Sequence, residues 1–255
     1  MRFLLYNIRY AAGIGKKFHL PVPYSGYFKN TNGHLKKIVD FVKSVDPDIV
    51  GLIEVDSGSF RSGKNNQAEA VAWELQHAHI YQSKYGASSM ARKMPLLSKQ
   101  GNAILTNKEI KSEKFHYFNN GVKRLVIELE LEEVAIFLVH LSLKFRHRQY
   151  QLQDLHTMIQ NVDKPVIVAG DFNVFRGDRE LQLFLAATGL QNANGNGHPS
   201  HPSRSPRRQL DYIFHSSQIR INGFEVPHIK LSDHNPLICD FSIDEVAERA
   251  SRLAN

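Results

Sequence analysis

The run Val166-Ile167-Val168-Ala169 passes directly into Gly170-Asp171-Phe172-Asn173. Four apolar residues bounded by Pro165 and Gly170 read as a central strand covered on both faces. Such a strand demands layers on either side of its sheet. A carboxylate and a carboxamide at the end of a core strand are costly to desolvate without partners. Strand alternation puts Asp171 and Asn173 on one side and turns Phe172 into the core. The plainer reading is a strand-to-turn junction built by the Asp171 and Asn173 side chains. Polar strand ends elsewhere in the chain favour a site.

Those other ends follow a pattern. Phe3 to Ile8 reads as a strand interrupted by Asn7, and Asp48 to Asp56 as a buried strand ending in Glu54 and Asp56. Gly101 to Leu105 is strand-like, and Val134 to His140 is a core strand ending in His140 and Ser142. Leu210 to Phe214 opens on the acid Asp211, and Ser232-Asp233-His234-Asn235-Pro236 precedes the apolar strand Leu237 to Phe241. Arg124 to Leu131 alternates Leu125, Ile127, Leu129 and Leu131 with polar residues, the pattern of a half-buried, edge-like strand. Helical periodicity covers His34 to Val45, Gln67 to His77, Arg146 to Val162 and Glu180 to Thr188, with a helical tail from Asp244 to Asn255. Tyr150, Leu152, Leu155, Ile159 and Val162 are the expected inner face of the third helix.

Three irregular stretches remain. Ala11 to Gly33 carries Phe18, Tyr24, Tyr27 and Phe28, which would stack on bases, touch lipid or staple the loop to the body. Tyr81 to Gln100 is basic, with Arg92-Lys93, and Asn192 to Gln209 ends in Arg207-Arg208. No repeat or low-complexity tract divides the chain, so a single domain over 1–255 is expected. The formal charge of +7 favours anionic partners without choosing among nucleic acid, anionic lipid headgroups and phosphorylated metabolites. Cys239 is the only cysteine, which excludes an internal disulfide and places it in a core strand. No apolar stretch is long enough to span a membrane or serve as a signal peptide, and a cytosolic, monomeric protein is expected.

The polar ends Asn7, Glu54, His140, Asp171, Asn173, Asp211, Asp233 and His234 form a set of hard oxygen ligands and imidazoles without a thiolate. That chemistry suits Mg²⁺, or Mn²⁺, more than Zn²⁺. Carboxylates gathered so closely repel unless a divalent cation neutralises them. Histidines beside them transfer protons or hold a phosphate oxygen. Together these point to metal-assisted attack of water on a phosphate ester.

In this order along the chain, the segments Tyr6-Asn7, Ile53-Glu54, Gly101-Asn102-Ala103-Ile104-Leu105, Val139-His140-Leu141, Gly170-Asp171-Phe172-Asn173, Leu210-Asp211-Tyr212 and Ser232-Asp233-His234 resemble the endonuclease/exonuclease/phosphatase superfamily. The resemblance implies an α/β fold, a four-layer sandwich of two packed, mostly antiparallel sheets flanked by helices, with the site where both sheets end. It also implies roles. Glu54 would hold the metal directly, with Asn7 and Asp233 as direct or water-mediated ligands. Asp171 would orient or deprotonate the attacking water, and Asn173 would bind a phosphate oxygen. His234, oriented by Asp211, would contact the phosphate. His140 would steady the pentacovalent charge or help protonate the leaving group, and Arg124 would face the phosphate. The expected enzyme is a Mg²⁺-dependent phosphoesterase, first a phosphodiesterase acting on nucleic acid. A phosphodiesterase or phosphatase on a lipid headgroup or small phosphometabolite is the alternative. A catalytically dead anion-binding module is disfavoured, because every expected polar position is filled.

Overall fold

The structure, a computed structural model, describes residues 1–14, 30–84 and 97–244. The aromatic loop Phe18 to Phe28, the pair Arg92-Lys93 and the tail beyond Asp244 lie outside the described residues. Two six-stranded sheets stack face to face. The first contains β1 (Arg2–Asn7), β2 (Ile49–Asp56), β3 (Ala78–Ser83), β4 (Gln100–Thr106), β11 (Ile219–Glu225) and β12 (Leu237–Ile243), ordered β11-β12-β1-β2-β4-β3. The second contains β5 (Ser112–Tyr117), β6 (Leu125–Glu130), β7 (Ala135–His140), β8 (Val166–Asp171), β9 (Gln191–Asn192) and β10 (Asp211–His215), ordered β5-β6-β7-β8-β10-β9. Helices α1 (Asn32–Val45) and α2 (Gln67–Leu75) follow strands of the first sheet; α3 (Phe145–Ile159) and α4 (Gln182–Thr188) follow strands of the second. Among the described residues, no helix is long and apolar enough to cross a membrane.

Each sheet has one parallel pair, β1 with β2 and β7 with β8, and every other pair is antiparallel. The parallel pairs arise because α1 and α3 carry the chain back across the sheet between their strands. Alternation along each strand sorts the apolar residues into layers. Phe3 and Leu5 of β1 pack between the sheets with Leu138, Ile167, Ala169, Ile213 and Cys239. Leu4 and Tyr6 pack on the opposite face with Ile38, Val42 and Val71 of α1 and α2. Val166 and Val168 of β8 meet Leu152 and Leu155 of α3 and Phe184 of α4. The four-layer sandwich follows directly.

Several expectations about elements need correction. Ala78–Ser83, partly read as the start of an irregular stretch, is a strand, and Ser112–Tyr117 and Ile219–Glu225 are strands that no clean periodicity announced. The strand β6 is not an edge: β5 pairs outside it, and its residues from Leu125 to Leu129 are buried. Glu128, the polar residue there, is buried against Lys114 and His116 of β5. Tyr150 is not on the inner face of α3 but exposed beneath Arg146.

Candidate active site

The alternation that builds the inter-sheet core also builds the site. In β1 the inward positions are Phe3, Leu5 and then Asn7; in β7, Ile136, Leu138 and then His140; in β8, Ile167, Ala169 and then Asp171. In β10 the inward neighbour of Ile213 is Asp211. Four polar side chains therefore emerge where the apolar layer between the sheets stops, and all four are buried. Register aligns them within the second sheet: His140 pairs with Asp171, and Asp171 with Asp211. Glu54 reaches the same region by a different device. The register of β2 against β4 shifts between Leu52 and Val55, and Glu54 adopts a left-handed φ of 57°. This bulge breaks the alternation, so that Ile53 packs between the sheets while Val55 packs against the helices. The backbone N–H of Glu54 is held by Asn102 Oδ1 at 3.3 Å.

Asp171 is the hub. Its Oδ2 accepts from Asn7 Nδ2 at 3.2 Å and lies 3.2 Å from His140 Nε2 and 4.0 Å from His234 Nε2. Its Oδ1 accepts the Asn173 N–H at 3.0 Å, so the side-chain turn of the plainer reading is present as well. Asn173 has φ 53° and donates Nδ2 to Leu141 O at 3.0 Å, while Phe172 is fully buried in the outer core. Burial opposes ionisation of Asp171, but the His140 hydrogen bond and the charges of His234, His140 and Lys123 hold it well below the ordinary carboxylate range.

His234 lies in the loop before β12, with Nδ1 2.7 Å from Asp211 Oδ2. Ser200 Oγ donates to the same Asp211 oxygen. Burial disfavours the charged ring, but the charge and hydrogen bond of Asp211, with Asp171 and Asp233 behind them, push His234 up to about 10. His140 moves the other way: burial and the Lys123 ammonium lower it against the pull of Asp171 and Glu54. The two imidazoles of one site are thus pushed in opposite directions.

Sequence reasoning missed four residues with contacts here, Lys123, His201, Ser200 and Lys84. Lys123 Nζ touches His140 Nε2 and lies 3.9 Å from Glu54 Oε1. Arg124, its neighbour, is half-buried at the entry to β6. The His201 ring lies tilted at 50° against that of His234, with centroids 4.8 Å apart, and Ser200 buttresses Asp211. Lys84, lowered to about 8 by burial despite the attraction of Glu54, donates to the Tyr10 hydroxyl at 2.8 Å. No periodic signal marks these residues. Ser200 and His201 sit in a proline-rich loop, and Lys123 is one cation among many.

The donor chemistry fits a hard divalent cation. Ligand atoms of His201, Asp233 and His234, and those of Asp171, Asp211 and His234, lie within 4.8 Å of one another. A protonated His234 does not ligate, which leaves in these groups the carboxylates of Asp171, Asp211 and Asp233 and the ring of His201. Asp211 Oδ1 is buried with no hydrogen-bond partner among the described residues. Among the described residues, Glu54 and Asp233 form loose ion pairs, to Lys123 at 3.9 Å and to Arg9 at 3.4 Å. Asn7 Oδ1 accepts from the Arg9 N–H, and Ser232 Oγ ties Asn7 O to the loop that carries Asp233.

The model of the Endonuclease/Exonuclease/phosphatase family matches residues 4–234. The chain belongs to this family. A UPF0294 protein of Yersinia pseudotuberculosis is 37% identical over 110 residues, which cover 42% of this chain and 41% of that protein. The uncharacterized protein YbhP of Escherichia coli K12 is 29% identical over 164 residues, 56% of this chain and 63% of its own length. These alignments span less than two thirds of either relative. Among solved structures, the human Nocturnin catalytic domain with bound sulfate anion superposes with a TM-score of 0.68 at 20% identity, covering 95% of this chain and 94% of that one. A mannosyl-6-phosphatase of Bacteroides thetaiotaomicron superposes with a TM-score of 0.70 at 16% identity, covering 95% and 100%. Both share the DNase I-like fold of this family, whose members are hydrolases of phosphoester bonds that generally use a divalent metal.

Proposed function

We propose that the protein is a Mg²⁺- or Mn²⁺-dependent phosphodiesterase that hydrolyses its substrate by attack of water on phosphorus. The observation that carries this reading is the Asp171 Oδ2 atom, which faces Asn7, His140 and His234 at 3.2, 3.2 and 4.0 Å. Glu54, Asn7 and Asp233 would hold the metal, which supplies Lewis-acid polarisation of a phosphate oxygen when bound. Asp171, ionised at neutral pH, orients the attacking water and takes its proton. As the P–O bond to water forms, negative charge builds on the equatorial oxygens. The charged His234 ring, with Nε2 turned towards Asp171, donates to one of them. Asn173 uses one amide hydrogen on Leu141 O and has the second for a phosphate oxygen. The bond to the leaving oxygen then breaks, and that oxygen takes a proton relayed by His140.

The test is hydrolysis of bis-p-nitrophenyl phosphate against p-nitrophenyl phosphate, with Mg²⁺ or Mn²⁺ and with chelator. Metal-dependent cleavage of the diester that is lost in Asp171→Asn supports the reading, and activity surviving chelation overturns it. A nucleic-acid version of this reading would use the exposed Arg207 and Arg208 of the loop that carries Ser200 and His201. That version requires oligonucleotide binding to weaken steeply as salt rises.

A further inference from the structure

Three chain segments lead outward from the site residues. The first runs from His140 to Phe145, the second from Asp171 to Arg176 and the third from Ser200 to Arg208. At its inner end each carries a site residue: His140, Asp171 with Asn173, and His201 against His234. At its outer end each carries exposed basic side chains, Lys144 in the first, Arg176 in the second and Arg204, Arg207 and Arg208 in the third, and the first two also carry exposed large apolar side chains. Leu143 is 60% exposed, Phe145 43% and Phe175 40%. Val122, 69% exposed, joins them from the turn before β6, which Gln151 ties to Ser142 through Asn120 O, Lys123 O and Ser142 Oγ.

These segments are fixed to one another. Arg176 lies over the Phe145 ring at 5.4 Å, and Arg208 over the Phe175 ring at 5.6 Å. Beneath them, buried Arg148 pairs with Glu180 and donates to Ser142 O and Leu143 O. Glu180 in turn accepts the Arg176 N–H at 3.0 Å. A buried ion pair with every partner satisfied is an expensive device for holding two surface loops. It presents Leu143 and Phe175 outward, although exposure of four large apolar side chains beside one mouth has no stabilising return in a free monomer. The surrounding charge is basic, with Lys144, Arg146, Arg176 and Arg208 all exposed. Two acids lie near this rim: Asp178 is engaged by the Tyr212 hydroxyl, and Asp154 accepts the Asn119 N–H of the turn that carries Val122.

We propose that this rim docks the protein on an anionic phospholipid surface, which presents a lipid headgroup ester to the site. The inference rests on the phosphodiesterase reading above and names its substrate class. Apolar tips ringed by lysine and arginine are the composition of an interfacial membrane contact, where side chains enter the acyl boundary and cations meet anionic headgroups. A single-stranded nucleic acid fits less well. Bases stack on open ring faces, whereas one face of Phe145 and one of Phe175 are covered by arginine, and Leu143 and Val122 have no ring to offer.

The experiment separates docking from chemistry. The full chain is sedimented, in chelator, with vesicles of phosphatidylcholine alone or mixed with phosphatidylglycerol. Wild type is expected to partition onto the mixed vesicles and weakly onto the neutral ones. In Leu143→Ser with Phe175→Ser, binding should fall by about tenfold or more, and hydrolysis of the soluble bis-p-nitrophenyl ester in Mg²⁺ should be unchanged. Both positions are exposed, so the fold is expected to survive, which circular dichroism checks; Phe145→Ser alone repeats the test at a third position. Wild type that ignores anionic vesicles overturns the proposal, as does vesicle binding indifferent to these substitutions. A loss confined to binding of a single-stranded oligonucleotide overturns it in favour of nucleic acid. Intact vesicle docking with no hydrolysis of any ester would instead refute the phosphodiesterase reading and leave the docking surface standing.

Discussion

Asp211 Oδ2 and His234 Nδ1 lie 2.7 Å apart in a buried setting, and Ser200 Oγ donates to the same carboxylate oxygen. The geometry fixes which ring nitrogen faces Asp211 and leaves Nε2 turned towards Asp171, 4.0 Å away. A ring held between two acids keeps its proton. In the metal-free protein, the His234 resonances should titrate near 10 rather than 6.5. Because the folded value lies above the unfolded one, the stability this gives is complete below 6.5 and is lost as pH rises towards about 10. The advantage of wild type over His234→Gln in denaturant midpoint should shrink over that window. A midpoint below 7 in a nuclear magnetic resonance titration would remove the cationic role assigned to His234.

Asp211→Asn keeps the shape of the partner and removes its charge. An amide donating to Nδ1 also enforces the neutral ring. Turnover of a soluble diester should fall by roughly two or more orders of magnitude, the scale for losing a positioned acid–base or electrostatic group. The alkaline limb of the rate profile should move to lower pH, with metal affinity nearly unchanged. A variant that melts early yet turns over normally in the cold would make the pair structural.

Glu54 and Lys123 make opposite predictions for metal binding. Glu54→Gln removes an oxygen charge and should weaken Mg²⁺ binding and nearly abolish hydrolysis. Lys123→Gln removes the ammonium that lies 3.9 Å from Glu54 and should tighten Mg²⁺ binding. It should also let the His140 titration rise, since Lys123 is one of the causes that lower it. Calorimetry reads the first pair of effects and magnetic resonance the second. Equal Mg²⁺ affinity in both variants would place the metal elsewhere.

How much of this was legible in the sequence depended on burial. The central strands announced themselves, because a strand covered on both faces has little choice but an apolar run. Three strands that carried no clean pattern, β3, β5 and β11, are all sheet edges, where one flank meets solvent and residues such as Lys114 and Arg220 are allowed. The misreading of β6 as an edge had the same origin in reverse: Glu128 looked solvent-facing, but its charge is met by Lys114 and His116. At the site, Asn7, His140, Asp171 and Asp211 were legible because each continues an inward alternation. Glu54 was legible only as an acid after a core run, since the bulge that turns it has no sequence mark. Ser200, His201 and Lys123 were not legible at all, because their places are set by tertiary contacts of loops.

Gly170 links the frame to the chemistry and gives the sharpest structural test. A Cβ at this position would lie 2.0 Å from Val139 O and 2.8 Å from Val139 C, and its φ of 158° is one that L residues rarely adopt. The obstacle is backbone of the neighbouring central strand, so no rotamer change relieves it. One step further along, His140 pairs with Asp171 across the same two strands, and their side chains meet at 3.2 Å. Gly170→Ala must therefore push β7 and β8 apart at the register position beside this contact. Overpacking of this kind costs about 1–3 kcal/mol, and here a clash with rigid backbone belongs at the upper end. Turnover should fall even where the variant is fully folded, because the hub carboxylate loses its His140 partner. Val168→Ala on the same strand is the control: it opens a cavity in the outer core, where Val168 is fully buried, and leaves the His140–Asp171 register alone. It should lower the denaturant midpoint by a comparable amount while turnover of the folded fraction stays near wild type. If Gly170→Ala lost stability but kept turnover, the His140–Asp171 contact would not be part of the catalytic arrangement.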